Sequence, residues 1–367
     1  MERSEKMRPL CVVFSDAFAF ASYSKLEELN LDNKLYKLTP GIAYSSNLHY
    51  QIFQGKGPDD LRVFTDFAYD MRSQEIKSGK LARFLDTTRP LNDLYRFIYR
   101  KITKRSDNIP FSERKAFVHK GSYLFMQHGE CVVFGRQCEK AYEVTVEQSF
   151  QKAAEFLENG AQNIVVVLEE LDRQGHVVGC GGREYMTAAN LIVRKTERLF
   201  GRFLEKYPDG VYMLISDHGM ADVHTGVNIT DYIYRICGLP GKDYFFFNDS
   251  VYLRFWSRDR EKLERIRTAM EKCEYLVYLD DVQREEFRAA DKQFGDLLYR
   301  LKQGYVFDPS CFGITGHAIC AGMHGYMEHT DEASGIVVTN MRLGEKREIG
   351  ANVVYREIMR YLENYNV

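Results

Sequence analysis

Four short runs constrain this chain most: residues 10–14 (LCVVF), 164–168 (IVVVL), 211–215 (VYMLI) and 336–339 (IVVT). A strand with one wet face alternates apolar and polar residues. An unbroken apolar run of this length is a strand covered on both faces, as in a parallel sheet. Between the runs, residues 146–159 and 183–207 repeat apolar side chains at helical spacing. Gly160 is placed to end the first helix and Pro208-Asp209-Gly210 the second. The alternation predicts an α/β protein, a mostly parallel sheet sandwiched by helices.

Two stretches break the rhythm. Residues from about 85 to 140 hold a basic helical segment, LNDLYRFIYRKITKR, and then a less regular region. Residues 241–305 begin with an aromatic strand pattern, DYFFFNDSVYLRFW, and two charged helices are expected after it, over 258–272 and roughly 285–302. The expected organisation is a core of 1–240 and 306–367, with a helical insertion near 85–140 and a small α+β cap over 241–305.

Basic and acidic residues balance, 50 against 52, which disfavours an extended phosphate-binding surface and stable nucleic-acid binding. No run of ~18 apolar residues predicts a membrane span. The first residues, MERSEKMRPL, have no signal-peptide pattern. The eight cysteines form no CxxC pair, so they read as reduced thiols in a cytoplasmic protein.

In parallel α/β sheets, ligands bind at the carboxyl ends of the strands. The first run ends at Asp16. The second leads to Asp172 and His176, and the third into Asp217-His218. A glycine-rich stretch, CAGMHGY, offers His324. Three aspartates and three histidines are the donor types of zinc and related divalent metals. They exceed what one tetrahedral ion needs and suit two ions, each with positions left for substrate.

In this order, VVFSDAF (12–18), LDRQGH (171–176), SDHGM (216–220) and HGY (324–326) resemble the nucleotide pyrophosphatase/phosphodiesterase family of the alkaline phosphatase superfamily. The likeness spans Asp16 to His324 and leaves the two insertions uncovered. The resemblance implies an alkaline-phosphatase-like core, two divalent metals (zinc, with manganese fitting the same donors) and a serine or threonine nucleophile at a helix start. Superposing His49-Tyr50 and Gly55 on the family pattern puts Ser45 at the nucleophile, with Ser46 the neighbouring alternative. By the same resemblance Asp16, Ser45, Asp217 and His218 surround one metal, while Asp172, His176 and His324 hold the other. The implied reaction is hydrolysis of a phosphodiester or pyrophosphate bond in a small phosphoester substrate through a covalent phosphoseryl ester.

The family places an asparagine after the nucleophile to hold a phosphate oxygen, whereas this chain has Thr65-Asp66 in that region. A carboxylate there repels phosphate, and Thr65 is the alternative donor, so the preferred substrate can differ from a nucleotide. Phosphomonoester hydrolysis or phosphate transfer on the same fold, and a non-catalytic metal-stabilised binding protein, are the other readings. His49 reads as a packing residue, His224 as a surface histidine, and Tyr244-Phe245-Phe246-Phe247 as cap core.

Overall fold

The computed structural model describes residues 8–70, 98, 101, 109, 113–120, 123–126, 129–311 and 319–364. The chain forms two compact units, residues 1–57, 122–222 and 320–367 in one, and 58–121 and 223–319 in the other. The expected cap, 241–305, lies within the second unit, whereas the region 85–140 is divided between the two. The basic segment 91–105 lies, but for two positions, outside the described residues.

The first unit is built on eight strands: β1 (Leu10–Ser15), β2 (Lys34–Thr39), β3 (Cys131–Val133), β4 (Arg136–Ala141), β5 (Asn163–Leu168), β6 (Val211–Ile215), β7 (Gly335–Thr339) and β8 (Glu348–Gly350). Their order is β8-β2-β7-β6-β1-β5-β4-β3. The central strands β4, β5, β1 and β6 are parallel. All side chains of β1 and β6 are buried, as their unbroken apolar runs require. The fourth run differs from expectation: β7 is antiparallel to both β6 and β2. An apolar run reports burial on both faces and carries no record of strand direction.

Helices cover both faces. Helix α1 is Ser45–Gln54, α2 Val146–Glu158, α3 Glu170–Val178 and α4 Arg183–Lys206. Alternation along β1 separates two packing layers. Cys11 and Val13 join Phe150, Ala153 and Leu157 of α2 and Ile192, Phe200 and Phe203 of α4 in one buried cluster. Phe14 packs edge-on against Phe53 of α1, with ring centroids 5.5 Å apart. Thr145 and Gln148 form a reciprocal capping box that starts α2, a device worth about 1 kcal/mol.

The second unit centres on a four-stranded sheet in the order Phe245–Asn248, Tyr252–Trp256, Leu297–Leu301, Leu276–Tyr278, all antiparallel. The first expected helix is present as Arg260–Met270. The second expectation, a helix over 285–302, is wrong. A short helix, Asp281–Glu286, ends early, and Leu297–Leu301 is a strand. Leu297, Leu298, Tyr299 and Leu301 are buried between two strand neighbours, so pairing overrides the charge pattern on either side. Tyr244, Phe245, Phe246 and Phe247 are buried core, as expected.

Candidate metal centre

The site residues come from the carboxyl ends of the strands. Beyond β1 the backbone turns sharply: Asp16 N–H donates to the Leu168 carbonyl, and Ala17 takes a left-handed φ of 58°. The Tyr185 hydroxyl holds this turn, donating to the Ala17 carbonyl at 2.6 Å and accepting from Ala19 N–H at 3.0 Å. Beyond β6, Ser216 Oγ donates to the His218 carbonyl at 2.6 Å and accepts from Phe18 N–H at 2.8 Å. The two loops that carry Asp16 and Asp217-His218 are therefore tied together.

Gly219 permits this arrangement. A Cβ there would lie 2.0 Å from the Glu332 carbonyl oxygen and 2.6 Å from that of Ser334. No side chain fits between these backbone segments.

After β5 the chain enters α3, where Asp172 and His176 stand one turn apart on one face. The pairing of Gly322–Met323 with Ala221–Asp222 delivers His324 beside them. His176 Nε2 and His324 Nε2 lie 3.3 and 3.4 Å from Asp172 Oδ1. In the adjoining group, His218 Nε2 lies 3.4 Å from Asp16 Oδ1 and 3.3 Å from Asp217 Oδ2. Ser45, the first residue of α1, places Oγ 3.0 Å from His218 Nε2. The rings of His218 and His324 stack at 3.9 Å and join the two groups.

Backbone carbonyls set the imidazole tautomers. His218 Nδ1 lies 2.8 Å from the Gly219 carbonyl and His176 Nδ1 3.0 Å from that of Gly322. A carbonyl only accepts, so both Nδ1 atoms carry the hydrogen in the neutral ring. Both Nε2 atoms then present a lone pair inward.

Charge and hydrogen bonding both fit cations here. Asp16 Oδ1, Asp172 Oδ1 and Asp217 Oδ2 are buried acceptors with no hydrogen-bond donor, an arrangement native proteins seldom leave uncompensated. Burial, and then the charges of Asp217 and Asp172, push the Asp16 carboxyl well above its usual range. Burial raises Asp172 too, but His176, His324 and His218 outweigh it and bring the group down to about 2. Burial and then the neighbouring His218 hold His324 well below the ordinary imidazole range, which favours its neutral, ligating form. Among the described residues, three donor groups have their ligand atoms within 4.8 Å of one another: Asp172-His176-His324, Asp16-Asp172-His218 and Asp16-His49-Asp217. Nitrogen and carboxylate oxygen in such sets suit zinc and manganese.

All six sequence-predicted donors, with Ser45, thus lie in the first unit. Ser46, the alternative to Ser45, is fully buried, and its Oγ has no hydrogen-bond partner. Thr65 and Asp66 lie in the second unit. There the Thr65 hydroxyl oxygen accepts from Arg254 Nη2 at 3.0 Å, and the Asp66 carbonyl accepts from Lys120 N–H at 2.7 Å. His224 is exposed. His49 does more than pack: its Nε2 stands 3.4 Å from Asp217 Oδ2. Its position one turn after Ser45 was the available signal.

A family model described as type I phosphodiesterase / nucleotide pyrophosphatase matches residues 89–327. That span includes Asp172, His176, Asp217, His218 and His324 and starts after Asp16 and Ser45. Among solved structures, murine ectonucleotide pyrophosphatase / phosphodiesterase 5, as an inactive variant in complex with AMP, is similar with a TM-score of 0.61 at 13% identity, over 97% of this chain and 95% of that one. The human protein of the same name gives 0.61 at 14% identity, with the same coverage. These likenesses establish a shared fold. No curated protein matches the sequence. Among the described residues, no helix is long and apolar enough to cross a membrane.

Proposed function

The chain belongs to the type I phosphodiesterase / nucleotide pyrophosphatase family, and on that premise we propose that it hydrolyses a small phosphodiester or pyrophosphate through a covalent ester on Ser45. The observation that carries this reading is the contact of Ser45 Oγ with His218 Nε2 at 3.0 Å, beside buried carboxylate oxygens that have no donor.

Asp16, Ser45, Asp217 and His218 would hold one divalent cation, and Asp172, His176 and His324 a second, with zinc the first choice and manganese suited to the same donors. Two such cations supply charge stabilisation at the phosphoryl oxygens and make an oxygen nucleophile available near neutral pH. Ser45 Oγ forms a bond to phosphorus, and the first alcohol or phosphate leaves. Water then attacks the seryl phosphoester, releasing the second product and restoring the hydroxyl. Ser45 stands at the start of α1, where the helix dipole favours an anion. The murine neighbour's inactive form is a threonine-to-alanine variant, which agrees with a hydroxyl nucleophile in this fold.

A nucleotide is the first substrate class to try, because that neighbour was solved with AMP. Thr65 and Asp66 are assigned to the substrate side on the family pattern. The test is turnover of bis(p-nitrophenyl) phosphate against p-nitrophenyl phosphate by the intact protein and by Ser45→Ala. Diester turnover lost in Ser45→Ala supports the proposal. Turnover of the monoester alone would replace it with phosphomonoester hydrolysis.

A further inference from the structure

We propose that His49 is a positioning residue, whose Nε2–H donates to Asp217 Oδ2 and fixes that carboxylate for metal binding. The inference rests on the reading of Asp217 as a metal ligand and assigns a role to a side chain outside that ligand set.

Ser45 and His49 occupy the same face of α1, one turn apart. The first reaches His218 and the second reaches Asp217, so one helix face holds two consecutive residues of the loop after β6. The imidazole is 5% exposed. Phe14 stands edge-on to it at 4.7 Å and Phe125 lies at 5.1 Å, which fixes the plane of the ring. Among the described residues, neither ring nitrogen makes a hydrogen bond of good geometry. A polar ring held this deeply among aromatics is costly unless it is used.

The partner is decided by elimination at Asp217. Its Oδ1 accepts from His218 N–H at 3.1 Å and from Ala17 N–H at 3.4 Å. Its Oδ2 has no donor, and two imidazole nitrogens face it. His218 Nε2 cannot donate in the neutral ring, because the Gly219 carbonyl holds the hydrogen on Nδ1. No carbonyl makes that demand on His49, which is free to carry its hydrogen on Nε2. The 3.4 Å approach becomes a good hydrogen bond once the ring N–H lines up with Oδ2 and the pair closes by a few tenths of an ångström. Such partners orient ligating carboxylates, and removing one typically weakens metal affinity about 10–100-fold.

The experiment compares intact protein, His49→Phe and His49→Gln in competition with a zinc chelator. Phenylalanine fills the aromatic surround without a donor, and glutamine restores an N–H. His49→Phe is expected to bind one of two zinc ions about 10–100-fold more weakly, and His49→Gln to recover most of that loss. Unchanged zinc affinity in His49→Phe overturns the proposal. Equal loss in both variants also overturns it, in favour of direct imidazole ligation. Failure of the intact protein to bind two zinc ions overturns the metal reading itself, a result distinct from either. A second measurement needs no variant: the long-range ¹H–¹⁵N histidine spectrum of the zinc-loaded protein. It should show His49 as the Nε2–H tautomer, and the Nδ1–H tautomer would contradict the proposal.

Discussion

Ser45 Oγ and His218 Nε2 stand 3.0 Å apart, although 173 residues separate them in the chain. The contact joins the start of α1 to the end of β6 and puts a hydroxyl at the edge of the donor cluster. Ser46 follows on the same helix, yet its Oγ is buried without a hydrogen-bond partner. Replacing Ser45 by alanine should therefore cost at least ~10³-fold in kcat for a diester, as loss of a covalent nucleophile does. Ser46→Ala should stay within a few-fold. Steady-state rates of the two variants check this, and the reverse pattern would move the nucleophile to Ser46.

Metal removal should loosen the first unit as well as stop turnover. Asp16, Asp172 and Asp217 crowd their carboxylates together, and the repulsion among them is felt at Asp16. Cations present at about 100 times their Kd add about 2.7 kcal/mol per site to stability. The unfolding midpoint should accordingly fall by several degrees on chelation and recover on zinc addition. A midpoint indifferent to chelator and zinc would count against a cation in this cluster.

Gly219 offers a test of the backbone that presents His218. The nearest carbonyl oxygen is 2.0 Å from where an alanine Cβ would stand, so Gly219→Ala must push the loop away from residues 332–334. The expected cost is about 1–3 kcal/mol, as for other overpacked sites. Zinc affinity should fall with it because His218 moves. Denaturant titration and chelator competition read the two effects separately.

Asp66 differs from the asparagine that the family pattern places in this region. Asp66→Asn removes a negative charge from the side assigned to substrate. The KM for an anionic diester should drop several-fold, in line with about 1 kcal/mol for two like charges about 4 Å apart in a water-like dielectric. An unchanged KM at low salt would detach Asp66 from substrate binding.

The strands that end at Asp16, Asp217 and the start of α3 were legible because full burial leaves an unbroken apolar run. Asp172 and His176 were legible for a related reason, being one helical turn apart just past such a run. The direction of β7 was not, since an antiparallel strand buried on both faces has the same composition as a parallel one. Leu297–Leu301 reads as helix in the sequence because the charged residues before it repeat at helical spacing, and only pairing on both sides makes it a strand. His49 reads as a packing residue, and it does pack, against Phe14 and Phe125. Its approach to Asp217 depends on tertiary placement of α1 against the loop after β6, which no local pattern records. The two-residue pairing that delivers His324 is likewise too short for any periodicity to mark.

On the proposed reading, Asp217 and His218 end their strand as part of a two-metal phosphodiesterase site. The most direct measurement is the metal content of the purified, dialysed protein, taken together with its turnover of bis(p-nitrophenyl) phosphate before and after chelation. The expected result is two divalent ions per chain, turnover abolished by chelator, and recovery on adding zinc. Full diester turnover by protein shown to be free of metal would contradict it.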